Sequence, residues 1–282
     1  MKDKYFRRKV KSSPHNPNVL IDSELEDKSY VESFGFEWTE IDGFVGKESM
    51  LHGHIFGRFL LPKTFLDGKT VVDVGCGNGR IGRLVAPFAR EYIGLDLSDS
   101  VYAFPDYLET TNITLVQASG TNLPLKDSIG DVTICWGVLH HMDKPMQGLE
   151  ELIRVTKPGG MILIFIYSKG YQARQNFNQF SKNLDQNSSH ELLESTSDFL
   201  DTWREVDEFY ANNLSQSLFM GVKKSREWQI FQWYDGITPQ FHWDLEDELE
   251  LNFKNSAIDF VKTQDGCYRI MKNMEFGLIP VF

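Results

Sequence analysis

The sequence predicts a doubly wound α/β protein, and three observations carry that prediction. Between residues 69 and 167, short β-branched runs alternate with helical stretches of roughly ten residues. The runs lack polar alternation, as strands do when crossover helices cover both faces of a parallel sheet. The first run, Val71-Val72-Asp73-Val74, passes straight into Gly75-Cys76-Gly77-Asn78-Gly79 and then a helical pattern. A loop of that kind belongs at the carboxyl edge of such a sheet, where ligands bind.

Seven strands are expected, over 70–74, 92–96, 113–117, 131–136, 161–167, 257–263 and 267–273. Helices are expected over 80–90, 99–109, 146–156 and 244–255. Right-handed crossovers place the first five strands parallel. The short turn at Gln264–Gly266 makes the last two an antiparallel pair at the sheet edge. Residues 1–30 are polar and read as irregular. Phe34, Phe36, Trp38, Phe44, Phe56, Phe59 and Phe65 mark helices packed on a core. After Tyr167 the chain turns Asn-, Gln- and Ser-rich, yet Trp203, Trp228, Trp233 and Trp243 argue for a helical insertion over a linker. Four regions result: an N-terminal arm and helical cap over 1–67, a ligand-binding core over 68–167, an aromatic-rich cap over 168–244, and a final helix with two edge strands over 245–282.

The chain has 282 residues and a net charge of -11. Residues 185–259 hold 16 acidic against 5 basic side chains, and the remainder balances. An acidic segment of that size argues against nucleic acid as a partner. The basic cluster Lys2, Lys4, Arg7, Arg8, Lys9 and Lys11 reads as a solvated arm. The longest apolar run has seven residues, Met161 to Tyr167, well short of the roughly 20 that span a membrane. The basic start lacks an apolar stretch after it and does not read as a secretory signal. Cys76, Cys135 and Cys267 form no CxxC pair, so neither a metal site nor a disulfide framework is expected, and a reducing, cytoplasmic location fits best.

Which ligand the glycine loop takes is the central question. Gly77 to Gly82 also satisfies the dinucleotide pattern G-x-G-x-x-G. Asp73, however, sits two residues before the first glycine, where a carboxylate suits an ammonium group and repels a pyrophosphate. Asp96 ends the second strand 23 residues later and can accept both hydroxyls of a ribose.

Five segments in order carry a resemblance: Val71 to Arg80, Gly94-Leu95-Asp96-Leu97-Ser98, Asn122-Leu123-Pro124-Leu125, Trp136 to Met142, and Arg154-Val155-Thr156-Lys157-Pro158-Gly159-Gly160. Together they resemble the motifs of class I S-adenosylmethionine (SAM)-dependent methyltransferases, of the type-11 group that includes ubiquinone and menaquinone biosynthesis enzymes. The resemblance covers about residues 55–167. It implies a seven-stranded Rossmann-like sheet with SAM as cofactor. Gly75, Gly77 and Gly79 would pass under the methionine moiety, with Cys76 and Asn78 in the same loop. Asp73 would face the ammonium, Asp96 the ribose, and Arg58 the carboxylate. Ser119 stands where many relatives have an adenine-binding Asp, flanked by Gly120 and Thr121, and Leu97 and Trp136 would pack on the adenine.

Methyl transfer from a sulfonium is an in-line displacement, so positioning dominates. A base is needed only where the acceptor must lose a proton. His141 after the fourth strand, Tyr167 ending the fifth and His242 in the insertion are the candidates. The expected acceptor is a small molecule, such as a sugar, a quinone-like compound or a secondary metabolite, enclosed by the insertion. A macromolecular acceptor, protein or RNA, is the alternative, and an NAD-dependent enzyme a further one.

Overall fold

A computed structural model describes residues 2–25, 34–35, 38–39, 59–104, 112–166, 245–255, 260–264 and 267–272. Among them the strands are β1 (Val10–Ser12), β2 (Val19–Asp22), β3 (Thr70–Val74), β4 (Glu91–Asp96), β5 (Ile113–Gln117), β6 (Gly130–Trp136), β7 (Thr156–Phe165), β8 (Phe260–Gln264) and β9 (Cys267–Met271). The α-helices are α1 (Gly82–Val85), α2 (Pro145–Val155) and α3 (Leu245–Asn255).

The strands form one mixed sheet in the order β1-β2-β5-β4-β3-β6-β7-β9-β8. Pairings from β2 to β7 are parallel, while β1 on β2, β9 on β7 and β8 on β9 are antiparallel. The chain leaves β3 toward β4 and β5 on one side, then crosses to β6 and β7 on the other. The carboxyl ends of β3 and β6 therefore diverge, leaving a crevice there.

Both faces are covered, which explains why the strands lack polar alternation. Val72, Val74, Ile93 and Leu95 pack with Leu149 and Leu152 of α2 and Phe253 of α3. Val71, Val132 and Ile134 pack on the opposite face with Leu84 and Val85 of α1, Phe59 and Phe104.

The structure differs from the sequence expectation in three places. Among the described residues the sheet has nine strands, not seven, because β1 and β2 form a hairpin that adds to β5. Residues 2–25 are thus neither irregular nor a solvated arm. Arg8 donates to both carboxylate oxygens of buried Asp22 and to Asn122, and Arg7 reaches Asn122 and Glu151. Pairing with acidic and amide partners ties Arg7 and Arg8 to the fold, while Lys4, Arg7, Lys9 and Lys11 stay exposed. The helix expected over 80–90 shrinks to the four residues of α1: Ala86 keeps helical dihedrals and donates to the Gly82 carbonyl, but Pro87 has no N–H to continue the ladder. Of the helix expected over 99–109, the described residues 99–104 carry a 3₁₀ turn, Asp99–Ala103, ending at the extended Phe104 that precedes Pro105, and 105–109 lie outside the described residues. The insertion over 168–244, with Trp203, Trp228, Trp233 and Trp243, lies outside the described residues.

Candidate active site

The loop after β3 is tied to its neighbour strand. The N–H groups of Gly75 and Cys76 both donate to the Leu95 carbonyl, at 2.7 and 3.0 Å. One residue on, Asp96 stitches the two loops together. Its Oδ2 accepts from the Gly77 N–H at 2.8 Å, and its Oδ1 accepts from the Ser98 N–H and hydroxyl at 2.9 and 2.7 Å. Burial raises the pKa of Asp96, opposed by these same donors. Two glycines in the loop need their residue type for different reasons. Gly75 has φ +80°, and a Cβ there would collide with the Val138 side chain. Gly77 has φ +53°, and a Cβ there would make only ordinary contacts, 3.9 Å from the Trp38 ring and 4.0 Å from the Ser100 hydroxyl, so its conformation and not a clash requires glycine.

Asp73 lies one layer beneath. It is 1% exposed, and its Oδ2 accepts a 2.6 Å hydrogen bond from the Tyr92 hydroxyl. Its Oδ1 is buried with no hydrogen-bond partner among the described residues. Burial pushes its pKa up to about 7, against the Tyr92 hydrogen bond, and the Asp96 charge adds to the rise. Burial likewise raises the Cys76 and Cys135 thiols, so neither is primed as a nucleophile.

Above the loop is a cavity. Gly75, Cys76, Gly77 and Asn78 border it, as do Asp96 and Leu97 after β4, Gly120 after β5, and Trp136 and His141 at and after the end of β6. Nine of the residues singled out by sequence therefore meet around one space. Asp73, Gly79, Ser119 and Thr121 do not border it. Ser119 and Thr121 are buried, with their hydroxyls 2.8 Å apart. Arg58, Tyr167 and His242 lie outside the described residues.

Sequence reasoning missed part of the lining. Phe34, Trp38, Arg80, Val138, Met142 and Phe165 also border the cavity. Asn78 Nδ2 donates to the Trp38 carbonyl at 3.1 Å, the Arg80 guanidinium lies 4.9 Å from the Trp38 ring centroid, and the Phe34 ring meets His141 edge-on at 4.7 Å. Aromatic enrichment before residue 67 was the available signal, but core packing produces the same enrichment.

The arrangement fits a nucleoside carrying a positive charge. Asp96 and Gly77 border the cavity at the strand end, and a second carboxylate, Asp73, lies buried below the loop. Two linked phosphates would face both carboxylates at close range.

Residues 72–164 match the methyltransferase domain family, type 11. This region is a class I SAM-dependent methyltransferase domain. Its cofactor is SAM. The methyltransferase domain is 33% identical over 132 residues to a tRNA U34 carboxymethyltransferase of Campylobacter curvus, covering 44% of each chain. It is 33% identical over 105 residues to a tRNA (carboxymethyluridine(34)-5-O)-methyltransferase of Arabidopsis thaliana, covering 36% of this chain and 24% of that one. An uncharacterized methyltransferase of Mycobacteroides abscessus is 34% identical over 103 residues, covering 35% of this chain and 40% of its own. The chain thus spans less than half the length of these curated relatives. A solved methyltransferase-like structure from Methanococcus maripaludis is similar over 92% of this chain and 99% of its own, at 15% identity and a TM-score of 0.49. Among the described residues, no helix is long and apolar enough to cross a membrane.

Proposed function

We propose that the chain is a SAM-dependent methyltransferase whose acceptor is RNA, with a tRNA base as the methylated unit. The observation that carries the cofactor half is Asp96, a strand-end carboxylate that fixes the glycine loop through Gly77 and borders the cavity. Asp96 holds the ribose. Gly75 and Gly77 let the methionine moiety cross the loop, and Leu97 and Gly120 lie beside the adenine. Asp73 acts on the ammonium through its field from beneath the loop. Residues 68–167 are the cofactor-binding unit, flanked by 1–67, 168–244 and 245–282.

The acceptor half rests on the two relatives named for tRNA uridine 34. The expectation that nucleic acid is disfavoured is set aside here for a physical reason. It was drawn from the summed charge of residues 185–259, and a sum over a segment does not report the potential at the mouth of a site.

SAM supplies a methyl group already activated by positive sulfur. The acceptor's lone pair forms the bond to the methyl carbon while the carbon–sulfur bond breaks and its electrons stay on sulfur. The chain's task is to align these atoms and exclude water, and effects of that kind can supply several kcal/mol. His141 borders the cavity and would take the proton from a hydroxyl acceptor; its contact with Phe34 fixes the ring. A small planar metabolite is the second reading, favoured by the enclosure that Phe34 and Trp38 give the cavity.

The test is transfer of a labelled methyl group from SAM to unmodified tRNA, beside a protein-free metabolite extract. Label in tRNA supports the RNA reading; label in the extract alone sinks it. Calorimetry with SAM and NAD tests the cofactor half, which tight NAD binding without SAM binding would overturn.

A further inference from the structure

The sheet order measures out the cavity. Asp96 ends β4, and β3 lies between β4 and β6. Neighbouring strands are about 4.8 Å apart, so β6 is about 10 Å from the ribose-binding carboxylate and β7 about 14 Å. Were the ribose held at Asp96 and the methionine carbons over the loop after β3, the sulfur joining them would lie above β3, with β6 and β7 on the side away from the ribose. The ends of β6 and β7 then lie beyond the methyl group, on the acceptor's side. Trp136 and Phe165 stand there. They are register partners on adjacent parallel strands. Both border the cavity, and their rings lie 4.7 Å apart at an interplanar angle of 31°.

This wall is supported from behind. Phe59, fully buried, meets the Trp136 ring edge-on at 5.7 Å and 81°. Arg269 of β9 donates to the Phe59 carbonyl at 3.3 Å. In front, the Gly137 N–H donates to the Phe165 carbonyl at 2.8 Å, which locks the turn that follows Trp136 to the end of β7. A fixed, tilted aromatic pair presents π surface to a flat partner, and base–aromatic stacking is largely insensitive to which base is presented.

We propose that Trp136 and Phe165 form the wall on which the acceptor's planar ring, a pyrimidine base extruded from its strand, stacks for methyl transfer. This moves Trp136 from the adenine, where the sequence expectation put it, to the acceptor. The proposal rests on the RNA reading for the kind of ring and on the strand order for the wall.

The test uses the full chain saturated with S-adenosylhomocysteine. Binding of uridine and of its saturated, non-planar counterpart dihydrouridine is followed by saturation-transfer NMR. Methyl transfer to an unmodified tRNA anticodon stem-loop is assayed alongside, with thermal melts to check folding. Phe165→Leu is expected to weaken uridine binding about tenfold and to lower stem-loop methylation, with affinity for SAM and S-adenosylhomocysteine unchanged. Phe165→Trp, which keeps a stacking face, restores both, so that a folding defect is told apart from a lost wall. Uridine binding unchanged in Phe165→Leu, or dihydrouridine binding as tightly as uridine, overturns the proposal. So does selective loss of SAM over S-adenosylhomocysteine, which would make the wall a seat for the sulfonium. Uridine binding that depends on Phe165, with no stem-loop methylation, keeps the wall and sinks the RNA reading. Equal methylation by wild type and Phe165→Leu sinks the wall and keeps the RNA reading.

Discussion

The Tyr92 hydroxyl donates a 2.6 Å hydrogen bond to Asp73 Oδ2, and both side chains are sealed from solvent. Burial dominates, and it lifts the Asp73 pKa from 3.8 to about 7. An acid whose pKa is raised by folding binds more protons in the folded chain than in the unfolded one between those two values. Its contribution to stability is fully present below about pH 4, declines as pH rises toward 7, and is gone above it. Melting curves of the cofactor-free protein between pH 5 and 8 should show this decline in wild type and lack it in Asp73→Asn. Tyr92→Phe removes a bond that favours the ionised form, so its decline should extend to higher pH. Identical pH profiles for wild type and Asp73→Asn would rule out Asp73 as the titrating group.

The same carboxylate gives the cofactor a pH dependence. With the SAM ammonium near the loop, as proposed, ionised Asp73 would be favoured. SAM should therefore bind more tightly above pH 7 than below it, and Asp73→Asn should weaken binding above pH 7 and flatten the profile. Calorimetry at pH 6 and pH 8 checks this. A wild-type affinity that falls as pH rises would reverse the sign of the argument.

Asp96 carries both structure and binding. Asp96→Ala leaves the Gly77 and Ser98 N–H groups without their acceptor, at a cost of roughly 1–3 kcal/mol of stability. It also removes the proposed ribose acceptor, and losing charge-assisted hydrogen bonds worth about 1.5–3 kcal/mol each should weaken S-adenosylhomocysteine binding by two orders of magnitude or more. Asp96→Asn keeps the shape and should recover most of the stability but little of the affinity. If Asp96→Ala binds the cofactor normally, the ribose is not where the site places it.

The parallel core was legible in the sequence because burial on both faces leaves a signature that needs no knowledge of partners: apolar runs broken by helical stretches, as in Val71–Val74 and Met161–Ile166. The glycine loop was legible because few residues other than glycine adopt φ +80° beside Val138. The N-terminal hairpin was not. Val19-Leu20-Ile21 is a short run, and its pairing with Leu115, Val116 and Gln117 spans about a hundred residues that no local pattern connects. The basic cluster was misread for the same reason, since Asp22, Asn122 and Glu151 become its partners only once the chain is folded. Phe165 and Trp38 were visible as aromatics but not as cavity lining, because an aromatic at a strand end or in a helical segment carries the same signal when it packs in a core.

Gly75 and Gly77 should separate stability from binding. Gly75→Ala combines a positive φ, costing about 1–2 kcal/mol, with the overlap onto Val138, costing about 1–3 kcal/mol more. Adding Val138→Ala removes the two methyls nearest the new Cβ but keeps the Val138 Cβ 2.8 Å away, so it should restore part of the second cost and none of the first. Gly77→Ala carries only the φ cost and should melt within a few degrees of wild type, yet its Cβ enters the space over the loop and should reduce cofactor affinity at least tenfold. Urea titrations and calorimetry on the three variants test this contrast. A Gly77→Ala that binds as wild type does would mean that nothing approaches that stretch of backbone.

Arg154 is the fastener of the segment that follows Gly120. Its guanidinium donates to the carbonyls of Leu123 and Leu125, to Asp127 and to Glu151. Glu151 in turn accepts from the Leu123 N–H at 2.7 Å. Replacing Arg154 by leucine would leave the largely buried Glu151 carboxylate without its main counter-charge and two carbonyls without a donor, a loss of roughly 3–5 kcal/mol. Arg154→Lys keeps the charge but cannot present a planar fork to four acceptor groups, so it should recover less than half of that. Glu151→Gln keeps an acceptor for Leu123 and should cost less than Arg154→Leu. Urea unfolding of the three variants orders them, and an Arg154→Leu midpoint close to wild type would show that α2 and the strand-following segment hold together by apolar packing alone.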